Sequence, residues 1–368
     1  MIPFNPLDLI GPQWHLVYPT KPRLGTMIIA APDGTAGGDG TERSPVNLYT
    51  AVSQATAGTL VYLRGGTYRW GEGNGGHLNF SGTGTAVAPI TFESYPGEWA
   101  VINGDHMARQ YDAQILISGD FNQLRRLEIA WAPIHSSLAV WGDNNLVEGV
   151  YLHNGYGTGI NNTQNASNNT YRHCAVVDVT DTTAGGGGGN ADGIQISQGT
   201  GAIVQNCSVD GSSDDGFDAW DSSGGVFINC IAQNCGHRSG DGGGFKLGGA
   251  SGSNNKAINC IAANNNGAGF NNNTASGGEY INCTSYNNGD YAFKNTESDS
   301  VIHRCVSFLD LNGNVHGSAT ETECSWQQTA PVDLISGDNR SPDFLQLQPT
   351  TYMTTIGAHM PAPATRSA

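Results

Sequence analysis

Short apolar segments alternate with turns rich in glycine and asparagine along most of this chain. Such segments lie at residues 59–63, 89–92, 115–117, 124–129 and 138–140. Apolar runs of this length, bounded by turn residues, predict β-strands rather than helices. From about residue 113 onward they recur at regular intervals, which indicates the stacked coils of a solenoid.

One unit with an apolar centre recurs most clearly in the second half of the chain. Its central residues form one column, Ile194, Phe217, Phe245, Phe270 and Phe293, and the residues that follow them form another, Gln195, Asp218, Lys246, Asn271 and Lys294. The residues that precede them are small: Gly193, Gly216, Gly244, Gly269 and Ala292. If each unit is one coil, the members of a column stack at the spacing of neighbouring strands, about 4.8 Å.

A second repeat pairs asparagine with cysteine. It occurs at Asn206-Cys207, Asn229-Cys230, Asn259-Cys260 and Asn282-Cys283. The base period is about 22–23 residues, which suits a parallel β-helix with three short strands per coil. Two intervals are longer, and their extra residues lie at 182–190 and 236–241, immediately before Asp192 and Lys246. Insertions confined to two neighbouring coils indicate a binding site there.

The eight cysteines are interpreted as small buried apolar residues stacked in a column, not as disulfides. We assign no disulfide to Cys230 and Cys235, although they are close in sequence. The asparagines of the four Asn-Cys pairs are predicted to face inward, with each side chain bonding the next coil in an amide ladder.

The chain is divided into four parts: an irregular N-terminal segment (1–25), an N-terminal cap with the first coils (26–112), the regular coils that carry the site (113–325) and a closing segment (326–368). Residues 341–360 are expected to pack on the last coil as a strand or loop.

A short helix is predicted near the N-terminus. Ser44 is the expected N-cap and Pro45 the first helical residue. Leu48, Val52 and Ala55 give this helix one apolar face, and we expect it to cover the open end of the solenoid.

Charge and hydropathy restrict the partners. The formal net charge of −16 disfavours nucleic acid and anionic membranes. There is no apolar run of about 18 residues, so no membrane span is expected. The first residues lack the basic-then-apolar pattern of a signal peptide. This leaves open whether a signal was removed, whether the protein is virus-encoded, or whether export takes another route.

Acidic residues cluster where the insertions occur. The predicted register brings Asp192 beside Asp215, with Asp214 and Asp218 in the same coil as Asp215. Four carboxylates this close repel one another unless a cation neutralises them. Because all the donors are oxygens, the site favours a hard cation such as Ca²⁺.

Lys246 lies one coil away from Asp218 in the predicted column. A lysine beside a divalent cation should have a lowered pKa, and a neutral lysine is a competent general base. This pairing suits removal of a proton next to a carboxylate, because a cation on that carboxylate makes the carbon acid stronger. On a uronic acid the proton is at C5, and loss of the O4 substituent cleaves the polymer by β-elimination.

In these motifs the sequence resembles the Ca²⁺-dependent pectate lyases of polysaccharide lyase family 9. The matching segments, in order, are residues 192–194, 213–218 and 244–249. The resemblance implies a right-handed parallel β-helix, Asp192, Asp214, Asp215 and Asp218 as Ca²⁺ ligands, and Lys246 as the base. It also implies an extracellular enzyme, expected to be monomeric, that acts on an acidic polysaccharide. Pectate is the first candidate, and rhamnogalacturonan is a substrate of some members.

Further residues are candidates for substrate subsites. Asn271 and Lys294 extend the column of Lys246, and His237, Arg238, Asn273 and Lys256 lie near it in sequence. His153, Arg172 and His173 lie on the other side of the acidic coil and are weaker candidates.

Two other classes of function compete with the lyase. A β-helix glycoside hydrolase would use Asp214 and Asp215 as acid and base without a metal. Against it, the chain lacks the Gly-His-Gly and Arg-Ile-Lys motifs expected of polygalacturonases. A non-enzymatic β-helix, such as a viral adhesin, would bind polymer without cleaving it and would tolerate the loss of Lys246.

Overall fold

The computed structural model describes residues 26–70, 76–107, 113–132, 135–181, 187–236, 242–249, 251–297 and 299–327. Within them the chain winds into a right-handed parallel β-helix in which every pair of strands is parallel. This confirms the predicted fold class. Each coil contributes one strand to each of three ladders, and we call these the first, second and third ladder.

The first ladder runs the length of the described solenoid. Its strands are β1 (Met27–Thr35), β2 (Leu60–Leu63), β5 (Ile90–Ser94), β8 (Asn122–Ala130), β10 (Leu146–His153), β12 (Thr170–Arg172), β15 (Ile203–Gln205), β18 (Val226–Ile228), β21 (Lys256–Ile258), β24 (Glu279–Ile281), β27 (Val301–His303) and β30 (Thr320–Thr322).

The second ladder shares the long strands β8 and β10 with the first, so the two ladders form one sheet of 20 strands. Its other strands are β3 (Gly66–Arg69), β6 (Ala100–Asn103), β13 (Ala175–Val179), β16 (Ser208–Ser212), β19 (Ile231–Gln233), β22 (Ile261–Ala263), β25 (Thr284–Tyr286) and β28 (Val306–Phe308).

The third ladder is a separate sheet of 10 strands. It consists of β4 (Leu78–Phe80), β7 (Ile115–Ile117), β9 (Ser136–Val140), β11 (Thr158–Asn162), β14 (Ile194–Ile196), β17 (Phe217–Asp218), β20 (Phe245–Lys246), β23 (Phe270–Asn271), β26 (Phe293–Thr296) and β29 (Val315–Gly317). A 3₁₀ turn at Ser325–Gln327 follows the last strand of the first ladder.

The predicted apolar column is confirmed. Ile194 pairs with Phe217, and the pairing continues through Phe245 and Phe270 to Phe293. The four phenylalanine rings are buried and stack with centroids 4.7–5.1 Å apart. This aromatic column gives the third ladder a continuous buried face, and it holds the register that aligns the outward residues.

The cysteines are free thiols and buried, as predicted. Seven of them lie in one column, in which each Sγ points at a backbone carbonyl two residues earlier, as Cys230 does towards Ile228 at 3.3 Å. Burial raises the pKa of the Cys230 thiol well above its ordinary value, and it does the same for Cys174, Cys207, Cys260 and Cys283. They therefore act as small apolar residues at the corner of each coil.

The predicted inward asparagine ladder is wrong in its direction. Asn206, Asn229 and Asn259 bond to one another across coils at 3.0 and 3.2 Å, but their side chains lie at the surface. Each has a positive φ of 52–54°, a left-handed conformation that asparagine tolerates at a corner. An inward ladder does exist elsewhere, where the Asn265 N–H donates to Asn288 Oδ1 at 3.0 Å.

The capping helix α1 spans Leu48–Gln54, and its N-cap is Asn47, not the predicted Ser44. Asn47 Oδ1 accepts the Thr50 N–H at 2.8 Å. Val46 forms parallel bridges to Ala30 and Thr35, which keep the preceding residues extended and delay the start of the helix. Leu48 and Val52 are buried, as the predicted apolar face requires.

The four-part division of the chain stays a prediction. Residues 1–25 and 341–360 lie outside the described residues. No helix within the described ranges is both long enough and apolar enough to cross a membrane.

Candidate active site

The outward column of the third ladder has the predicted register. Gln195 pairs with Asp218, Asp218 with Lys246, Lys246 with Asn271, and Asn271 with Lys294. Each of these residues directly follows a fully buried apolar residue of the central column, so alternation along the strand directs the polar side chains away from the core. A line of polar groups therefore crosses successive coils on one face.

Three carboxylates converge at the middle of this line. Asp192, Asp215 and Asp218 each offer an oxygen, and these oxygens lie within 4.8 Å of one another. All three residues are buried. Asp192 precedes β14 and Asp215 precedes β17, so stacking of two adjacent coils brings them together.

Backbone amides hold two of these carboxylates in place. Asp192 Oδ1 accepts the Asp215 N–H at 3.1 Å, and Asp215 Oδ1 accepts the Gly243 N–H at 2.7 Å. The adjoining Gly242 must be small, because a Cβ there would lie 2.1 Å from the carbonyl carbon of Asp214. The glycine-rich segment before Lys246 thus lets one coil approach the acidic turn of the previous coil closely.

Lys246 lies directly against the acids. Its Nζ is 3.2 Å from Asp215 Oδ2 and 3.2 Å from Asp218 Oδ2. The structure therefore brings Asp192, Asp215, Asp218 and Lys246 together. Asp214 is buried in the same turn and its charge acts on the cluster, but it is not a member of the converging group.

The carboxylates carry more negative charge than the lysine balances. Burial, followed by the charges of Asp218, Asp214 and Asp215, raises the pKa of Asp192 well above its ordinary value. Burial also raises the pKa of Asp218 to about 7, although Lys246 opposes the shift. The cluster thus holds carboxyl groups that favour a proton or another cation.

The pKa of Lys246 is raised by its surroundings. Burial disfavours the ammonium, but the charges of Asp215, Asp218, Asp192 and Asp214 together outweigh burial. The sequence predicts a lowered pKa for a lysine beside a bound cation. The protein's own residues act in the opposite direction, so the proton-accepting form depends on neutralisation of these acids.

The donor set fits a hard cation. Asp218 Oδ1 is buried and has no hydrogen-bond partner among the described residues, so it is an acceptor in need of a ligand. Two further carboxylates lie within coordinating reach of each other and of Asp218. An oxygen-only, anionic and irregular donor set is what Ca²⁺ binds.

Residues 28–310 match the sequence model of a protein family described as "Pel9A-like, right handed beta helix region". The chain belongs to the Pel9A-like family. The resemblance seen in the sequence motifs is thereby confirmed, and the protein is a polysaccharide lyase.

Relatives and solved structures agree with this assignment. The chain is 28% identical over 298 residues to pectate lyase PEL9 of Emericella nidulans, covering 69% of this chain and 71% of that one. It is 28% identical over 343 residues to pectate lyase L of Dickeya chrysanthemi, covering 89% and 79%.

Two of the solved structures that share the fold show how far the likeness extends. Pectate lyase Pel9A superposes with a TM-score of 0.75 at 24% identity, covering 91% of this chain and 90% of that one. A rhamnogalacturonan lyase superposes with a TM-score of 0.79 at 20% identity, covering 91% and 100%. At these identities the superpositions establish the architecture alone.

In this Pel9A-like protein, the candidate subsite residues lie at different positions relative to Lys246. Asn271 lies beside Lys246 in the column, and its Oδ1 accepts the Asn273 N–H at 2.8 Å. Lys294 lies one coil further and pairs with Asp290 at 2.6 Å. Asn273 lies past the strand and donates to the Gly248 carbonyl at 3.1 Å. His237 and Arg238 lie outside the described residues.

The remaining candidates lie on other ladders. Lys256 is on β21 of the first ladder and pairs with Glu279 at 2.9 Å. Arg172 bonds Glu148, and His153 bonds Glu128 at 3.0 Å. His173 follows β12 at a corner with a φ of 54°. These residues are near the acidic coil in sequence, but the winding of the chain carries them away from the face of Lys246.

Two neighbours of the cluster were not predicted from the sequence. Asp181 is buried and accepts the Ser213 hydroxyl at 3.3 Å, which ties the acidic turn to the preceding coil. Trp220 places its indole 5.0 Å from Lys246 Nζ. Asp181 has no counterpart in the aligned repeat, whereas Trp220 follows Asp218 by two residues and strand alternation could have revealed it.

Proposed function

We propose that this protein is a Ca²⁺-dependent lyase that cleaves pectate by β-elimination, with Lys246 as the base. The observation that supports this most directly is the contact of Lys246 Nζ with Asp215 and Asp218, two of the three converging carboxylates. The naming of its relatives as pectate lyases supports the choice of polymer.

Asp192, Asp215 and Asp218 would hold the ion, and Asp214 completes the ligand set that the family resemblance implies. When bound, Ca²⁺ supplies positive charge that binds the uronate carboxylate of the substrate and makes the C5 proton more acidic. The same charge explains how a protein with a net charge of −16 retains a polyanion.

Lys246 accepts the C5 proton at Nζ. The electron pair of the C5–H bond forms the C4=C5 double bond, and the C4–O4 bond breaks so that the O4 substituent leaves. The acids that hold Lys246 protonated are the same acids that bind the ion. Neutralising them therefore lowers the pKa of the lysine and frees its lone pair.

Asn271 and Lys294 extend the binding line beyond the base. They lie one and two coils from Lys246, or about 5 and 10 Å at the ordinary strand spacing. An amide and an ammonium at these intervals suit the hydroxyl and carboxylate groups of successive sugars. Lys294 is partly neutralised by Asp290, so it would exchange that partner for a substrate carboxylate. Asn273, His237 and Arg238 remain weaker candidates for the same line.

The substrate is a plant-type acidic polysaccharide found outside cells, so the proposed place of action is extracellular. The protein is proposed to act as a monomer, because the binding line lies within one chain.

The decisive experiment replaces the base. Lys246→Ala should lower the rate of pectate cleavage by about 10²–10⁴-fold, the usual contribution of a positioned general base. Ca²⁺ binding, measured by calorimetry, should be retained because the carboxylates remain. Lys256→Ala is the matched control, because Lys256 is ion-paired with Glu279 on the first ladder. This variant should cleave pectate at the normal rate.

Product and pH distinguish the lyase from its rivals. The lyase forms an unsaturated uronide that absorbs in the ultraviolet, requires Ca²⁺, and speeds up toward alkaline pH as Lys246 loses its proton. A saturated product with an acidic optimum indicates the hydrolase, and binding without cleavage indicates an adhesin. Cleavage at an ordinary rate by Lys246→Ala would show that the base is wrongly assigned.

The preferred substrate is identified by testing a panel of acidic polysaccharides. Pectate, methylated pectin, rhamnogalacturonan and alginate are each incubated with and without chelator. We expect the fastest Ca²⁺-dependent release of unsaturated product from pectate. A faster reaction on rhamnogalacturonan would keep the mechanism and change the substrate.

A further inference from the structure

An exposed indole lies against the proposed base. Trp220 is 39% exposed, and its ring centroid is 5.0 Å from Lys246 Nζ. An ammonium at that distance from an indole gains cation–π attraction. That attraction explains the position of the lysine, but it leaves unexplained why a large apolar ring stays in solvent on a polar face.

Strand alternation directs Trp220 to the same side as the site. Asp218 points outward, Ala219 is fully buried, and Trp220 points outward again. Two backbone bonds hold this segment: the Ala219 N–H donates to the Lys246 carbonyl at 2.8 Å, and the Gln198 N–H donates to the Trp220 carbonyl at 3.1 Å. The indole is therefore attached to coils on both sides and does not hang from a loop tip.

The next coil makes room for the ring. A Cβ on Gly249 would lie 2.9 Å from Cε3 and 3.0 Å from Cδ2 of Trp220. The six-membered part of the indole thus rests where a side chain at 249 would stand. Asp221 accepts the Ser251 N–H at 3.1 Å and joins the two segments beside this contact. The ring is supported from below while part of its surface remains open to solvent.

A pyranose ring has one face of C–H groups, which packs on an aromatic ring while its hydroxyls stay in water. Around Trp220 lie groups suited to the polar parts of such a sugar: the acidic cluster, Lys246, and Asn271 one coil further. A supported indole beside these groups matches the mixed polar and apolar surface of a uronate.

We propose that Trp220 is the stacking platform for the uronate ring that lies beside Lys246. Packing on the indole would set the height and tilt of that ring above Nζ, while the cation fixes its carboxylate. The proposal rests on the proposed function and adds to it a binding residue that determines how the sugar is seated.

Steady-state kinetics on trigalacturonate with saturating Ca²⁺ test the proposal. Trp220→Ala should raise KM about tenfold, in keeping with the loss of one aromatic stacking contact. The change in kcat should be smaller, and Trp220→Phe should recover part of the affinity. Trp131→Ala is the control, because Trp131 is 45% exposed on a distant coil and should leave both constants unchanged.

Binding without turnover is measured in a Lys246→Ala background. Trigalacturonate should change the tryptophan fluorescence, and the additional Trp220→Ala change should remove most of that signal. Gly249→Ala keeps the indole but displaces it, so it should weaken binding less than Trp220→Ala does.

The outcomes separate the two proposals. Normal KM and an unchanged fluorescence response in the Trp220 variants overturn the platform while the lyase assignment stands. A fall in kcat with unchanged KM also overturns it, because Trp220 would then act through Lys246. If the unaltered protein cleaves no uronate polymer, the proposed function fails, and the platform fails with it.

Discussion

Two columns of charged side chains run along different ladders of this solenoid, and they differ in charge balance. On the first ladder Glu93, Arg125, Glu148 and Arg172 pair in that order across four coils. On the third ladder Asp218 and Lys246 are neighbours, with Asp192 and Asp215 beside them. Parallel stacking in strict register makes both arrangements.

The first column is balanced. Glu148 bonds Arg125 at 2.8 Å and Arg172 at 2.5 Å, while Glu93 lies 3.1 Å from Arg126. Burial would raise the pKa of Glu148, but the hydrogen bonds and charges of its two arginines outweigh burial and lower it. Every carboxylate in this column has its counter-ion within the protein, so the column stabilises the fold.

The second group is unbalanced. Among the described residues, its three converging carboxylates share one ammonium, and the pKa values of Asp192 and Asp218 are raised, not lowered. Register alone therefore does not distinguish a structural column from a binding site. The uncompensated charge does, because it is relieved only when a cation binds.

The largest expected difference between the two groups is in catalysis. Asp218→Asn should weaken Ca²⁺ binding and lower pectate cleavage by about 10²-fold or more, since it removes one charged ligand of the ion. Glu148→Gln should cleave pectate at a normal rate when fully folded. Calorimetric titration with Ca²⁺ and initial rates measure both. Equal losses in the two variants would contradict the division.

The next difference is in stability, because substitutions in the two groups should change the free energy of unfolding in opposite directions. In chelator at pH 8, Asp192→Asn should stabilise the protein by about 1 kcal/mol, because it removes a repelled buried charge and leaves an oxygen for the Asp215 N–H. Glu148→Gln should destabilise it by about 2 kcal/mol, because it removes the partner of two arginines. Thermal and urea unfolding report the signs. Destabilisation by both changes would show that the acidic cluster is also balanced.

The third difference is in the pH dependence of stability. The folded-state pKa of Asp218 is about 7 against an ordinary 3.8, and that of Asp192 is also raised. Between these values the folded state binds more protons than the unfolded state, so stability falls as pH rises from about 4 to 7. At about 1.4 kcal/mol per pKa unit, the shift of Asp218 alone corresponds to a loss of about 4 kcal/mol across this range in chelator.

Added Ca²⁺ should weaken or reverse this slope, because it binds the deprotonated acids. Melting temperatures across this pH range, with chelator and with Ca²⁺, provide the measurement. Asp192→Asn should flatten the chelator curve, whereas Glu148→Gln should not. A curve in chelator that rises over this range would mean that the carboxyl groups are stabilised by other partners.

Much of the fold follows from local patterns. The Phe217 to Phe293 column and the Cys column were predictable because a repeat of constant period must stack like residues on like. Details at corners were not predictable in this way. The outward turn of Asn229 depends on a positive φ, and the N-cap at Asn47 depends on bridges from Val46 to distant residues.

The site, like the fold, has features that follow from the repeat and features that do not. The repeat determined that Asp218 and Lys246 are neighbours, and the two insertions indicated the coils that hold the acidic cluster. The sequence by itself thus determined the fold class, the register and the central pair of the site, because in a solenoid sequence period and spatial stacking are the same quantity.

Only the tertiary structure decided the rest. It separated Lys256, Arg172 and His153 from the face of Lys246, placed Trp220 and Asp181 beside the acidic cluster, and gave that cluster more carboxylates than ammonium groups among the described residues. These facts depend on which ladder a residue occupies and on where its side chain ends. Both are set by the path of turns between strands and by packing against neighbouring coils, which a repeat pattern does not encode.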